Sequence, residues 1–381
     1  MANLLIYGAN GYTGELITRY AVERGMGPII AGRNEAAIKE LAERHALEHR
    51  VFGLDDREKL DAALQEVEMV LHCAGPFSLT SKQMVEACLR NRKHYTDITG
   101  EIAVFEACAA RAAKAREAGI MIMPGVGFDV VPSDCLALHL KNRLPTATHL
   151  SLAFYGMGRI SHGTQATMTM NIGRGGAIRK DGKITPVPAA WKTRQIDFGS
   201  GVSSPHSVSG PHGVSSPHSV SSPHVSKGSS ANHIVKTAVT IPWGDVATAY
   251  HSTGIPNIEV FTFVPNSALR MMKLSRYLGW LLATRPFQKY LQSKIPPGGP
   301  SDAERAKGKT LLWGMAADAE GNCVESRLQC PEGYTTTALA ALNIAEKILN
   351  KNFTLGYQTP AHSYGPDLVL EIAGVKREDS K

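Results

Sequence analysis

The sequence predicts an α/β protein with a doubly wound parallel sheet, followed by a second domain of the α+β class. Three observations support this prediction. Short apolar runs alternate with periodic, helix-like segments through residues 1–124. A glycine-rich turn directly follows the first apolar run. After residue 124 the alternation stops, and strand-like and Gly/Pro-rich segments replace it.

The first 124 residues contain the strands and helices of the parallel sheet in a regular order. The predicted strands are Leu4–Tyr7, Pro28–Ala31, Arg50–Gly53, Met69–His72, His94–Ile98 and Ile120–Met123. The predicted helices are Tyr12–Arg24, Glu35–His45, Arg57–Gln65, Thr80–Asn91 and Ile102–Glu117. Strands that alternate with helices are typical of βαβ units, so we expect helices on both faces of a parallel sheet.

Residues 125–355 are expected to form the second domain. Residues 200–235 are a low-complexity insertion in the second domain, in which the dipeptide Pro-His recurs every six residues. This composition buries too little apolar surface to offset the entropy lost on ordering, so we expect the insertion to be disordered. Its five histidines leave metal binding as the alternative.

The composition is typical of a globular protein. Of 381 residues, 43% are apolar and 20% are charged, which excludes global disorder. The net charge of +7 suits an anionic ligand or surface but is too diffuse to indicate nucleic-acid binding. The six cysteines show no metal-binding spacing, so we expect reduced thiols, no metal site and a cytoplasmic location. The amino terminus has no leader pattern, and no apolar run approaches the length of a membrane-spanning helix.

The segment from Gly8 to Gly14 separates the first strand from the first helix and has the spacing GxxGxxG. This spacing is a variant of the turn that binds the pyrophosphate of dinucleotides in Rossmann folds. Gly8 permits a tight turn, Gly11 lets the backbone approach a phosphate, and Gly14 allows close packing of helix and strand. We therefore expect a Rossmann domain, with a purely structural turn as the alternative. The expected cofactor contacts in this turn are Gly8, Asn10, Gly11, Tyr12, Thr13 and Gly14.

The residues after the second strand favour NADP(H) over NAD(H). An NAD site usually has Asp or Glu there to bind the ribose 2′-hydroxyl, whereas this chain has Arg33 and Asn34. The guanidinium of Arg33 can donate several hydrogen bonds to a 2′-phosphate. Further cofactor contacts are expected where the fourth strand ends, because ligands bind at the carboxyl edge of such sheets. These residues are Cys73, Ala74, Gly75 and Pro76.

Together these motifs resemble the saccharopine dehydrogenase-like family, and in particular its compact bacterial branch, which includes trans-acting enoyl reductases. The resemblance rests on the glycine turn, the segment Cys73–Phe77, and the segments His94–Glu101, Gly125–Asp134 and Pro242–Pro256. It covers most of the chain outside residues 200–235. It implies an NADP-binding domain followed by a mixed α+β domain, with residues 356–381 returning against the first domain. The activities it implies range from C–N oxidoreduction to reduction of carbon–carbon double bonds in lipid-type substrates.

Hydride transfer needs a proton partner or an electrostatic stabiliser, and four side chains are candidates. Tyr95 and Asp97 end the fifth strand on the expected cofactor edge, and Asp129 follows the sixth strand. His162 lies in a polar loop of the second domain. For Asp129, capping a helix or stabilising a turn is the alternative role. The Tyr-xxx-Lys pair of short-chain dehydrogenases occurs only at Tyr290 and Lys294, far from its usual place.

The stretch Leu269–Leu291 mixes Met, Trp, Tyr and Leu with Arg and Lys, and it is predicted to be helical. We expect residues 277–282 to line or cover an apolar pocket beside the nicotinamide. The alternatives are a dimer helix, contact with an anionic membrane surface, or a domain helix with a solvated basic face. An apolar pocket favours a lipid-like substrate over an amino-acid one, for which Arg159, Arg174 and Arg179 could supply charges.

The sequence therefore predicts an NADP(H)-dependent oxidoreductase whose small-molecule substrate lies between two domains. The expected reaction is hydride transfer to an activated C=C bond of an apolar, acyl-type substrate. The alternatives are C–N or C=N oxidoreduction of the saccharopine type, and an NADP(H)-binding sensor or scaffold without turnover. A homodimer and peripheral membrane contact are left open as further associations.

Overall fold

The structure is a computed structural model that describes residues 3–157, 161, 163, 165, 175–200, 233–282, 284, 287, 288, 291, 293 and 298–380. Some residues discussed above lie outside this description, namely His162, Arg159, Arg174, and the pair Tyr290 and Lys294. The same holds for residues 201–232 of the insertion.

The strands and helices that follow are numbered along the chain. The strands are β1 (Leu4–Tyr7), β2 (Ile29–Gly32), β3 (His49–Val51), β4 (Met69–His72), β5 (His94–Asp97), β6 (Met121–Met123), β7 (His149–Met157), β8 (Gly176–Lys180), β9 (Lys183–Val187), β10 (Thr193–Ser200), β11 (His233–Thr240), β12 (Asn257–Phe263), β13 (Lys309–Ala317), β14 (Cys323–Pro331), β15 (Gly356–Tyr357) and β16 (Lys376–Asp379). The helices are α1 (Tyr12–Glu23), α2 (Glu35–His45), α3 (Arg57–Gln65), α4 (Phe77–Asn91), α5 (Ile102–Ala109), α6 (Ala112–Ala118), α7 (Val131–Arg143), α8 (Asp245–Thr253), α9 (Asn266–Leu282), α10 (Asp302–Lys307), α11 (Gly333–Leu349) and α12 (Pro360–Tyr364), with a 3₁₀ turn at Leu368–Glu371.

The first sheet is parallel and has the strand order β15-β6-β5-β4-β1-β2-β3. Strands β1, β2 and β4 are entirely buried, as expected for a sheet that helices cover on both faces. The chain proceeds outward from β1 to β3 and then crosses to β4 on the other side of β1. This reversal places a crevice beyond the carboxyl ends of β1 and β4, where ligands bind in such sheets. The predicted fold class, a doubly wound sheet with a second α+β domain, is confirmed.

Two helices of the first domain differ from the sequence prediction. Helix α4 begins at Phe77 rather than Thr80, because the Glu101 carboxylate accepts hydrogen bonds from the N–H groups of Phe77 (2.7 Å) and Ser78 (3.1 Å). The predicted helix 102–117 is divided into α5 and α6. The break lies at Arg111, whose Nε binds Glu86 of α4 at 2.7 Å.

The second sheet is mixed, with the order β10-β11-β12-β7-β13-β14-β16 and the hairpin β8–β9 attached to β12. Only the β7–β12 pair among these described strands is parallel. One face packs against helices α7, α8 and α11 of the main core, and the other encloses a smaller apolar cluster around Phe261 and Trp313. The sheet curls strongly, since Arg327 of β14 donates a hydrogen bond to the Asp197 carbonyl of β10 at 2.8 Å.

The ends of the insertion and the last segment of the chain differ from the sequence prediction. Ser200 and His233 pair across β10 and β11, so the strands include the first residue and the last three of the segment 200–235 that was expected to be disordered. The segment after residue 355, expected to return against the first domain, divides between the two sheets. Its strand β15 pairs with β6, whereas β16 pairs with β14 of the second sheet. None of the described helices is long and apolar enough to cross a membrane.

Candidate cofactor and substrate site

The glycine turn between β1 and α1 excludes side chains at two positions. Gly8 has φ of +84°, and a Cβ there would lie 2.7 Å from the Ala74 nitrogen. A Cβ on Gly14 would overlap the carbonyl oxygen of Gly8. Helix α1 starts directly after Gly11, and no side chain caps it, so the backbone N–H groups of its first turn, which includes the half-buried Thr13, are available to an anion. The turn therefore fits the pyrophosphate of a dinucleotide.

The side chain of Tyr12 is held by the second domain. Its hydroxyl donates a hydrogen bond to the Pro300 carbonyl and accepts one from Arg305 Nη1 at 2.7 Å. Its ring also packs edge-to-face on Tyr334, with 5.0 Å between ring centroids. A Cβ on Gly299 would lie 2.7 Å from the ring, so the loop before α10 rests directly on Tyr12. Tyr12 can therefore offer a cofactor its backbone N–H, while its side chain joins the two domains.

The end of β2 presents a cation beside the glycine turn. Arg33 is exposed and makes no hydrogen bond or ion pair with any described residue. Asn34 caps α2, because its side-chain Oδ1 accepts a hydrogen bond from the Ala37 N–H at 3.2 Å. This oxygen therefore already has a partner within the protein. Asn10 lies over the same strand end, since a Cβ on Gly32 would come 2.8 Å from its Oδ1. Arg33 and Asn10 thus lie together at the end of β2, where they could bind the 2′-phosphate and the ribose of NADP(H).

The segment after β4 forms the wall opposite the glycine turn. The backbone of Ala74 lies against Gly8, and its carbonyl accepts a hydrogen bond from Thr80 Oγ1 at 2.7 Å. Cys73 is half-buried, and burial raises the pKa of its thiol, which therefore stays neutral at physiological pH. Gly75 and Pro76 follow and lead into α4. The segment supplies shape and backbone to the crevice rather than a reactive group.

Tyr95 and Asp97, two of the four candidate proton donors, lie in the protein interior. Both side chains are fully buried at the end of β5. The Asp97 carboxylate accepts hydrogen bonds from the Tyr95 hydroxyl (2.6 Å) and from the N–H groups of Thr99 and Gly125 (both 2.9 Å). Burial raises the pKa of Asp97 to about 6 and that of Tyr95 well above its ordinary value. These contacts tie the turns after β5 and β6 to the Asp97 carboxylate, which gives Tyr95 and Asp97 a structural role.

Asp129 lies beyond the carboxyl end of β6 and is half-buried. A Cβ on Gly100 would lie 2.7 Å from its Oδ2, so the carboxyl faces the turn that follows β5. No described residue donates a hydrogen bond to this carboxyl, and no described cation neutralises it. Burial therefore raises its pKa to about 7. A carboxyl that is partly protonated at neutral pH can donate a proton to a bound substrate.

Three half-buried aromatic rings extend away from Asp129. Phe128 precedes it in the chain, and Trp243 Nε1 donates a hydrogen bond to the Asp129 carbonyl at 2.9 Å. Phe154 of β7 lies between them, with its ring centroid 4.7 Å from that of Trp243 and 6.2 Å from that of Phe128. Residues of the loop after β6, the second sheet and the loop before α8 thus meet in one aromatic group. It gives the crevice an apolar wall next to the carboxyl.

The charged groups around this wall are acidic or already paired. Asp134 accepts hydrogen bonds from Ser252 Oγ (2.5 Å) and the Ala361 N–H (2.8 Å). Burial, together with the nearby Asp134 and Asp129, raises the pKa of Asp245 well above its ordinary value. Arg179, considered as a substrate contact, is buried and binds Glu106 of α5 and two backbone carbonyls. Within the described residues this region therefore offers no unpaired cation for a substrate carboxylate.

Several residues of this arrangement escaped the sequence reasoning. Glu101 was quoted only as part of a motif, yet it caps α4 beside the crevice. Arg305 and Tyr334 have no motif of their own, and only tertiary contacts bring them to Tyr12. Trp243 lies in the segment Pro242–Pro256, which supported the family resemblance, but it was assigned no role there. No sequence signal singles out Phe154, because aromatic residues are common in strands.

Comparisons with known proteins agree with this description of the first domain. Residues 4–123 match the family model described as "Saccharopine dehydrogenase NADP binding domain". The fold of the whole chain is similar to that of a saccharopine dehydrogenase (L-Glu forming) from Saccharomyces cerevisiae. The TM-score is 0.63 at 12% identity, and the match covers 100% of both chains. At this identity the likeness concerns the fold alone.

Three curated relatives have different descriptions. A mouse saccharopine dehydrogenase-like oxidoreductase is 24% identical over 215 residues, 49% of this chain and 50% of that protein. A "Lipid droplet localized protein" of Caenorhabditis elegans is 27% identical over 153 residues, 36% of each protein. A trans-acting enoyl reductase of Mycobacterium leprae is 27% identical over 150 residues, 37% of this chain and 36% of that protein. The chain thus spans about half the length, or less, of these relatives.

Proposed function

We propose, on the premise that residues 4–123 are an NADP-binding domain of the saccharopine dehydrogenase-like family, that this chain is an NADP(H)-dependent oxidoreductase. Its proposed reaction is reduction of an activated C=C bond in an apolar, acyl-type substrate. The observation that carries the proposal is the Asp129 carboxyl, which is half-buried beyond the carboxyl end of β6 and accepts no hydrogen bond from any described residue. Asp129 is the proposed proton donor.

The residues present fit NADP(H). The glycine turn has the space and the N–H groups for a pyrophosphate, and Arg33 is free to bind a 2′-phosphate. Bound there, NADPH would supply a hydride, the electron pair that reduces the double bond. The protein must then place the substrate at this edge of the sheet and deliver a proton to it.

Asp129 would deliver that proton. Addition of a hydride to the β-carbon of an enoyl group leaves negative charge on the α-carbon and the carbonyl oxygen. The Asp129 carboxyl would give its proton to the α-carbon, which completes the saturated product, and solvent would then protonate Asp129 again. A pKa of about 7 suits this role, because the acid form is populated at neutral pH and the proton is not held too tightly.

The wall of Phe128, Phe154 and Trp243 supports an apolar substrate. Each substrate methylene buried against such rings contributes about 0.8 kcal/mol to the free energy of binding. A saccharopine-type substrate carries several carboxylates and would need unpaired cations, whereas the described groups nearby are carboxyls or paired arginines. The description of the M. leprae relative as a trans-acting enoyl reductase points in the same direction.

The test is NADPH oxidation with enoyl thioesters of increasing chain length, compared with saccharopine-type imines. We expect rates with the thioesters to rise with chain length and to fall about 10²- to 10⁴-fold in Asp129→Asn. Asp181→Asn is the matched control, because Asp181 is an exposed carboxylate in the β8–β9 turn. Turnover confined to the imines would overturn the choice of C=C chemistry. Tight NADPH binding with no turnover on either class would favour a non-catalytic nucleotide-binding protein.

A further inference from the structure

The exposed face of α9 is unusually apolar for a surface helix. Met271, Leu274 and Tyr277 are 68%, 56% and 79% exposed, although they are among the largest apolar side chains of the described surface. Their spacing of three residues places them along one side of the helix. Tyr277 therefore faces solvent and lines no pocket, whereas the side chains of residues 278–282, the rest of the predicted pocket cover, lie outside the described residues.

The opposite side of α9 is attached to the second domain. Arg276 donates hydrogen bonds to the carbonyls of Ala189 (2.7 Å) and Ala190 (2.6 Å), just beyond β9. Leu269 and Met272 are half-buried on the side toward the protein. The orientation of the helix is thus set by contacts with the body of the protein. The exposure of the apolar face follows from that orientation.

Basic residues accompany the apolar ones, and acidic residues are missing. Arg270 and Lys273 are exposed beside Met271 and Leu274. In the sequence from Val260 to Ser301 there are six Lys and Arg residues and no Asp or Glu. A helix with apolar side chains between basic ones, and no anion of its own, is complementary to a surface that is both apolar and negatively charged.

We propose that the face formed by Arg270, Met271, Lys273, Leu274 and Tyr277 docks on an anionic lipid surface. The apolar side chains enter the boundary between headgroups and acyl chains, while the two cations bind lipid phosphates and carboxylates. A second copy of the chain fits less well, because pairing of two such faces would bring like charges together without a compensating acid. The inference is independent of the reaction proposed above.

Sedimentation of the full-length protein with lipid vesicles tests the proposal. The vesicles are phosphatidylcholine alone or with about 30% phosphatidylserine, at low and high salt. We expect binding to the anionic vesicles, weakened by salt. The double variant Arg270→Glu/Lys273→Glu should bind at least twentyfold more weakly, at about fivefold for each cation removed. The triple variant Met271→Ser/Leu274→Ser/Tyr277→Ser should also lose binding.

Two measurements keep the test interpretable. The variant Arg57→Glu/Lys59→Glu makes the same change in net charge on the exposed start of α3, and it should bind vesicles like the unmodified protein. NADPH affinity, measured for each variant, reports that the first domain is intact. Equal binding to neutral and anionic vesicles, or no vesicle binding at all, would overturn the proposal. A dimer that the triple serine variant abolishes would show that a second copy covers this face instead.

Discussion

Replacing Asp129 by Asn tests the proposed proton donor through protein stability, before any substrate is known. Burial raises the pKa of this carboxyl from 3.8 to about 7. Each pKa unit corresponds to about 1.4 kcal/mol, so ionising Asp129 in the folded protein costs at most about 4 kcal/mol. The side chain is half-buried and keeps some contact with water, so we expect a cost of about 1–3 kcal/mol.

The sign of the pH effect follows from the direction of the shift. The folded protein binds the Asp129 proton more tightly than the unfolded chain does. Protonation of Asp129 therefore stabilises the folded protein. This stabilisation is complete below the unfolded pKa of about 4 and is lost as the pH rises through the folded pKa of about 7. Asn cannot ionise, so Asp129→Asn should gain stability relative to the unmodified protein as the pH rises from about 4 to 8.

The assay is urea unfolding of both proteins at several pH values across this range, followed by tryptophan fluorescence. Asp134 titrates in both proteins, so its contribution largely cancels in the difference. Asp129 helps to raise the pKa of Asp245, so removing the Asp129 charge also eases ionisation of Asp245 and adds to the same gain in stability as the pH rises. Asp181→Asn, at an exposed position in the β8–β9 turn, is measured alongside as the control for replacing a carboxylate. If the difference between Asp129→Asn and the unmodified protein is constant with pH, Asp129 ionises normally and the reasoning for a proton donor fails.

Three further outcomes can be measured on the same protein. Arg33→Ala should reduce the preference for NADPH over NADH by about ten- to hundredfold in fluorescence titrations; equal affinities of the unmodified protein for both cofactors would contradict the 2′-phosphate contact. Gly14→Ala should abolish cofactor binding and lower the melting temperature, because its Cβ would overlap the Gly8 carbonyl, whereas Gly27→Ala, with open space around it, should change neither. Deleting Gly201–Ser230 leaves two residues between the paired ends of β10 and β11, enough for a hairpin turn, so the melting temperature should hold within a few degrees; a larger loss would show that the insertion contributes to folding.

The first domain could be predicted almost completely because its information is local. A buried parallel strand is a short apolar run, and a covering helix is a periodic one, so each element can be recognised without its neighbours. The turn from Gly8 to Gly14 likewise carries its steric requirement in its own spacing. The larger differences depend on distant groups: α4 starts early, at Phe77, because Glu101 caps it, and the predicted helix 102–117 divides at Arg111, which binds Glu86.

The candidate site was predicted only in part, because sequence position does not show which way a side chain faces. Tyr95, Asp97 and Asp129 all follow strands that end at the ligand edge, and the sequence could not separate them. In the structure the Asp97 carboxylate accepts hydrogen bonds from the N–H groups of Thr99 and Gly125, whereas no residue in the described part of the chain donates one to the Asp129 carboxyl. Hydrogen-bond satisfaction is a property of the assembled loops, and it distinguishes a structural carboxyl from an available one.

The sequence by itself determined the fold class, the glycine turn and the cation at the end of β2, since each depends on residues close together in the chain. Tertiary structure alone decided what surrounds the crevice. The contacts of Tyr12 with Pro300 and Arg305, and the meeting of Phe128, Phe154 and Trp243, join segments up to hundreds of residues apart. Their positions follow from how the curled second sheet packs on the first domain, and side-chain packing between distant elements leaves no periodic pattern in the chain.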